Sequence, residues 1–166
     1  MTTLIIDIRT PYQLLIVKKI IDSGMLDIYK NLFFIAPQKL KMFFSSDILG
    51  EKLFYDVSPS KYVLFPTYLR HVIALRKQIS SSTIDLLTAV NHGPFFKTLR
   101  LVQRGKVILF EDGISTYLKL KKRFSLTSKK KFLYSKNYDY AILEKNSQTL
   151  VQKQHQDKIK YFDTSK

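Results

Sequence analysis

Along the first 113 residues, short apolar runs alternate with longer stretches of helical spacing. Runs at 3–8, 32–36, 62–65, 84–90 and 106–110 are mostly apolar and rich in β-branched and aromatic residues. Such runs fit strands covered on both faces. The stretch 11–23 reads as a helix: Pro11 suits the first turn, Leu14, Leu15, Val17, Lys18 and Ile21 follow, and Gly24 can close the end. A second helix is expected over 67–80, where Leu69, Val72, Ile73 and Leu75 interleave with Arg70, Arg76 and Lys77. A third is expected over 95–103, between Gly93-Pro94 and Gly105. Residues 38–56 are mixed in texture and suggest a short helix.

Strand, helix, strand, repeated, predicts βαβ units: an α/β fold with a Rossmann-like parallel sheet and helices on both faces. Ligands of such sheets sit outside the carboxyl ends of the strands. That rule singles out two loops, Arg9-Thr10-Pro11-Tyr12 after the first strand and Glu111-Asp112-Gly113 after the run 106–110. Beyond Gly113 the texture changes. Residues 118–136 carry eight basic side chains and no acid. A further strand is expected at 140–143. Residues 144–166 read as a polar tail, the start of an interdomain linker, with a weak apolar patch at Ile159, Tyr161 and Phe162. The expected division is therefore a domain over 1–143, with the basic segment 118–136, and a tail over 144–166.

A length of 166 residues corresponds to about one domain. The lack of cysteine excludes a disulfide framework, thiolate metal sites and a cysteine nucleophile. Three histidines leave little material for a metal centre, and none has a partner at ligand spacing, so no metal site is expected. The net charge of +15 is the outlier. It favours anionic partners: a phosphate-bearing substrate, an acidic membrane face or nucleic acid. Lysines interleaved with Tyr117, Phe124, Phe132 and Tyr134 suit an anionic bilayer or a single strand. No RRM, KH, zinc-finger or helix-turn-helix signature supports nucleic acid, which ranks below the others. The start lacks a basic region ahead of its apolar run, and Asp7 and Arg9 interrupt that run. The expected location is the cytoplasm, peripheral to a membrane at most.

Two constellations can carry chemistry. Glu111 and Asp112 are adjacent acids at a strand end, where desolvation and mutual repulsion raise a carboxyl pKa and suit a general base. Gly113 permits a sharp turn close to a ligand, and Ser115, Thr116 and Tyr117 supply hydroxyls. The alternative is a solvated strand-to-loop turn, in which Asp-Gly is common. Thr10-Pro11-Tyr12-Gln13 is the second constellation. Thr10 can cap a helix whose N–H groups face a sugar hydroxyl or an anion, although plain capping explains the same spacing. Neither a GxGxxG nor a Walker pattern follows the first strand, which argues against an ordinary NAD-binding or P-loop enzyme. His92, in Asn91-His92-Gly93-Pro94, reads as a bystander in a turn.

Two segments together resemble a known family. Residues 3–21, with Arg9-Thr10-Pro11-Tyr12-Gln13-Leu14-Leu15, are similar to the opening of bacterial glycosyltransferase family 52. Residues 107–117, Val-Ile-Leu-Phe-Glu-Asp-Gly-Ile-Ser-Thr-Tyr, resemble its acidic motif, which bacterial polysialyltransferases share. The family comprises mainly lipooligosaccharide and capsule sialyltransferases. The resemblance implies the N-terminal, acceptor-side half of a GT-B enzyme, with Glu111 as general base and Asp112 beside it. Thr10, Gln13, Gly113, Ser115 and Thr116 would then contact the glycan acceptor. It also implies metal-independent transfer with no cofactor, from CMP-sialic acid held by a second Rossmann-like half.

The chain departs from the family in two respects. The His-Pro motif of the family's second half occurs nowhere in these residues, and no second Rossmann-like half is expected here to carry the Ser/Thr pair that helps hold the sialic acid carboxylate. The expectation is therefore an acceptor-side half that is inactive alone, working as a homodimer or with a partner half. The alternative is a non-enzymatic basic module that docks on an anionic membrane or a polyanion.

Overall fold

The computed structural model describes residues 2–56, 61–79, 83–89, 93–110, 139–145 and 159–163. Seven strands form one all-parallel sheet: β1 Thr2–Asp7, β2 Asn31–Pro37, β3 Glu51–Tyr55, β4 Thr83–Thr88, β5 Val107–Phe110, β6 Tyr140–Glu144 and β7 Ile159–Phe162. Three helices accompany them: α1 Pro11–Asp22, α2 Lys61–Gln78 and α3 Gly93–Val102. The spatial order is β3-β2-β1-β4-β5-β6-β7. The chain thus winds outward from β1 to β3, crosses back, and winds outward again from β4. The α/β fold with a Rossmann-like parallel sheet is as the sequence implies.

Burial on both faces explains the apolar runs. Leu4, Ile6 and Ile8 of β1 belong to a core with Leu14, Val17 and Ile20 of α1. Ile5 lies in a second core, on the other face, with Tyr68, Val72 and Leu75 of α2 and Phe96 and Leu99 of α3. Period-two alternation therefore puts Thr3, Ile5 and Asp7 on the α2–α3 side. α1 is bounded as its sequence suggests. Pro11 opens it, and Gly24 follows its end in the left-handed region at φ 76°. The Gly24 N–H donates to the Ile21 carbonyl at 2.8 Å, which closes the last turn.

Three elements differ from the sequence expectation. Residues 62–65, expected as a strand, belong to α2, with Pro66 inside the helix. A four-residue apolar run has too little length to separate the two periods. The third strand is instead β3, which pairs with β2 from Phe33↔Glu51 to Pro37↔Tyr55. Its first residues, Glu51 and Lys52, are exposed on the sheet's edge, so it lacked a buried-strand signature. Ile159, Tyr161 and Phe162, read as a patch in a polar tail, lie in β7, which pairs with β6 in parallel. The mixed stretch after β2 does hold a short helix, a 3-10 turn at Gln38–Phe43.

Candidate functional site

The direction of winding reverses between β1 and β4. α1 leaves β1 over one face and α3 leaves β4 over the other, which makes the carboxyl ends of these two strands the candidate ligand crevice of such a sheet. In register, Asp7 of β1 faces Thr88 of β4 at that edge. Asp7 is 1% exposed. Its Oδ2 accepts from Arg9 Nε at 2.9 Å, from Arg9 Nη2 at 2.6 Å and from Thr88 Oγ1 at 3.1 Å. Its Oδ1 is buried with no hydrogen-bond partner among the described residues.

An aromatic wall stands beside this cluster. Tyr55, at the carboxyl end of β3, meets Tyr68 of α2 edge to face at 4.9 Å, and Tyr68 meets Phe95 of α3 at 4.6 Å. The Arg9 guanidinium lies 5.4 Å from the centre of the Phe95 ring, within cation–π range. The Tyr68 hydroxyl is buried and also lacks a partner among the described residues.

Electrostatics fix the state of these groups. Burial lowers the Arg9 pKa, but the charge and hydrogen bonds of Asp7 outweigh it, so the guanidinium pKa is raised. Burial pushes the Tyr68 phenol well up, and the Asp7 charge adds to the effect. Tyr55 is raised by the same two causes. Beneath the carboxyl edge there are thus a fixed cation, a buried carboxylate oxygen without a partner among the described residues and two buried neutral phenols. Vicinal hydroxyls need such mixed donors and acceptors, and the apolar face of a sugar ring suits aromatic side chains.

The loop after β1 is held by its own residues. Thr10 is the N-cap, with extended backbone, and its Oγ1 accepts from Gln13 N at 3.2 Å. Gln13 Oε1 in turn accepts from Arg9 N at 2.7 Å. This reciprocal pair is a capping box displaced by one residue. It sets the backbone of Arg9, and with it the side chain that reaches back to Asp7. Gln13 is buried, so its amide serves this turn first.

The structure gathers Arg9, Thr10 and Gln13 at the switch point. Glu111, Asp112, Gly113, Ser115 and Thr116, together with His92 and the basic segment 118–136, lie outside the described residues. β5 ends at Phe110 on the same carboxyl edge, separated from β1 by β4 alone. At about 4.8 Å per strand spacing, the ends of β1 and β5 lie roughly 10 Å apart, room for one sugar ring. Asp7, Thr88, Tyr55 and Tyr68 were not singled out from the sequence. For Asp7 and Thr88 a signal existed, since each is a polar residue closing an apolar run. Among the described residues no group of three acidic or histidine side chains is placed to hold a metal ion. No helix among them is long and apolar enough to cross a membrane. A separate cleft of about 550 Å³ opens between the end of α1 and β7, lined by residues that include Lys19, Asp22, Tyr161 and Asp163. No protein-family model and no curated protein sequence matches the chain.

Proposed function

We propose that the chain is the acceptor-side half of an inverting glycosyltransferase of the family 52 type, acting on a surface glycan with CMP-sialic acid as donor. One observation carries the reading. The strand order brings the carboxyl end of β1, with Arg9, Thr10 and Gln13, and that of β5, which runs into the acidic pair, to one edge flanking the switch point. In this reading Asp7, Arg9 and the aromatic wall seat the terminal sugar of the acceptor. Glu111 takes the proton from the attacking hydroxyl as the new glycosidic bond forms, and CMP leaves with the electrons of the broken bond. Asp112 and Gly113 shape the loop, and Ser115 and Thr116 bind neighbouring hydroxyls. The nucleotide sugar belongs to a second Rossmann-like half.

The test is direct. With CMP-sialic acid and a galactose-terminated acceptor, the 166-residue chain is expected to bind the acceptor without transferring sialic acid. Robust transfer by this chain alone would overturn the assignment of the donor to another half. Where a donor half is supplied, Glu111→Gln is expected to lower kcat by about 10²–10⁴, the usual contribution of a general base, with little change in acceptor KM. Undiminished transfer would remove Glu111 from that role.

A further inference from the structure

The connection between β2 and β3 carries an apolar surface that the fold does not use. It packs on the α1 face of the sheet, where Leu40 and Ile48 are buried in the core and Phe44 meets Phe34 and Phe54 edge to face. The side chains on its outer side are large and apolar too. Met42 is 84% exposed, Leu49 78% and Phe43 49%. A connection of thirteen residues that already buries Leu40 and Ile48 and packs Phe44 against the core has no packing reason to present three more apolar side chains to water. They protrude rather than line a groove, so a partner must receive them into itself.

Charge identifies that partner. Lys39 and Lys41 directly precede Met42 and Phe43, and no acid occurs between residues 31 and 46. Asp47, the one acid of the connection, is held by Lys18 of α1. Protruding apolar tips with lysines at their base match a bilayer whose headgroups are anionic: the tips enter the acyl boundary and the ammonium groups stay among the phosphates. We propose that the Met42–Phe43 tip and Leu49 dock the protein on an anionic membrane surface. The 3-10 helix begins directly after Pro37, the last residue of β2. In register Asp7 lies beside Ile35, so the docked tip adjoins the carboxyl edge of the sheet, the edge that bears the crevice. This inference rests on the exposed surface alone and does not require the glycosyltransferase reading.

The chain has no tryptophan, so one can be introduced as a sole reporter. Met42→Trp is read by emission on equimolar phosphatidylglycerol–phosphatidylcholine vesicles, with and without acyl-chain bromine. Leu101→Trp is the control, because Leu101 is 75% exposed on α3, over the opposite face. The expected result is a blue shift and bromine quenching at position 42, neither of them at 101, and weaker binding to pure phosphatidylcholine. Adding Phe43→Ser and Leu49→Ser is expected to weaken partitioning about tenfold for each apolar side chain removed. Two results would overturn the proposal. One is vesicle binding with unshifted, unquenched Trp at 42, which would place the contact elsewhere, for instance at 118–136. The other is no co-sedimentation with anionic vesicles at all.

Discussion

Two buried aspartates sit in the two central strands, on opposite faces and at opposite edges of the sheet. Asp85 of β4 lies near the amino edge, and both its oxygens are used. Oδ2 accepts from the Tyr29 hydroxyl and Oδ1 from Lys106 N, each at 2.7 Å. Gly105 is packed so closely that a Cβ there would overlap Asp85 Oδ1. Asp7 of β1 lies at the carboxyl edge. One of its oxygens takes three hydrogen bonds, and the other has no partner among the described residues. The first carboxylate ties β4 to the α1–β2 connection and to the start of β5. The second holds an arginine and, among the described residues, has unused acceptor capacity, which the proposed acceptor site would use. The two acids are both buried and differ in the completeness of their partners among the described residues.

Substitution distinguishes the two carboxylates. The largest effect is expected at Asp85. Asp85→Ala leaves the Tyr29 hydroxyl and the Lys106 N–H buried without an acceptor, and should cost about 3–4 kcal/mol in urea unfolding. Asp7→Ala should cost about 1–2 kcal/mol, because Arg9 keeps partial contact with water, while acceptor binding is lost. If Asp7→Ala proved the more destabilising, the two roles would be reversed. Next, Gly105→Ala is expected to cost about 2 kcal/mol by forcing Asp85 away from its partners, read as a lowered denaturation midpoint with an unchanged m-value.

A conservative pair discriminates further. Tyr29→Phe removes a partner of Asp85 and should destabilise by about 1–2 kcal/mol. Tyr68→Phe removes a hydroxyl without a partner among the described residues, so stability should hold within about 0.5 kcal/mol while acceptor affinity falls. Equal losses of stability would show that the Tyr68 hydroxyl is structural. Alkaline titration adds a check on sign. Burial and then the Asp85 hydrogen bond raise Tyr29, and burial and then the Asp7 charge raise Tyr55 and Tyr68. A phenol whose pKa is higher folded than unfolded stabilises the fold up to the unfolded value near 10.0, and that stability is lost as pH rises further. Tyrosinate absorbance from these three should therefore appear only together with alkaline unfolding.

The smallest effect belongs to the exposed Lys18–Asp47 pair. Hydrogen bonds from Lys18 and Ser45 lower the Asp47 pKa from 3.8 to about 2. Its contribution is present above pH 3.8 and is lost as pH falls through about 2. Asp47→Asn should lower stability only slightly above pH 3.8, leave it unchanged below about pH 2, and so flatten the acid limb of a stability–pH curve in that window.

Much of the fold was legible because five of the seven strands announce themselves physically. β1 and β4 are buried on both faces and so read as mostly apolar runs, and Pro11, Thr10 and Gly24 mark the ends of α1. β3 and β7 escaped because edge strands carry exposed charges, Glu51, Lys52 and Lys160, that dilute their pattern. The start of α2 escaped because Tyr62–Phe65 followed by Pro66 suits a strand locally, and so short a run fits either period. The switch-point rule led to the loop at Arg9 from sequence alone. It could not lead to Tyr55 and Tyr68, which reach the crevice from an edge strand and a distant helix by packing that no local spacing encodes.

The central claim is that the carboxyl edge between β1 and β4 receives the acceptor. Amide chemical-shift mapping of the labelled chain during titration with a galactose-terminated oligosaccharide tests it most directly. The account predicts that the largest changes fall at Arg9, Thr10, Gln13 and Thr88. Changes centred instead on Tyr29, Asp85 and Lys106, or no changes at the end of β1, would contradict it.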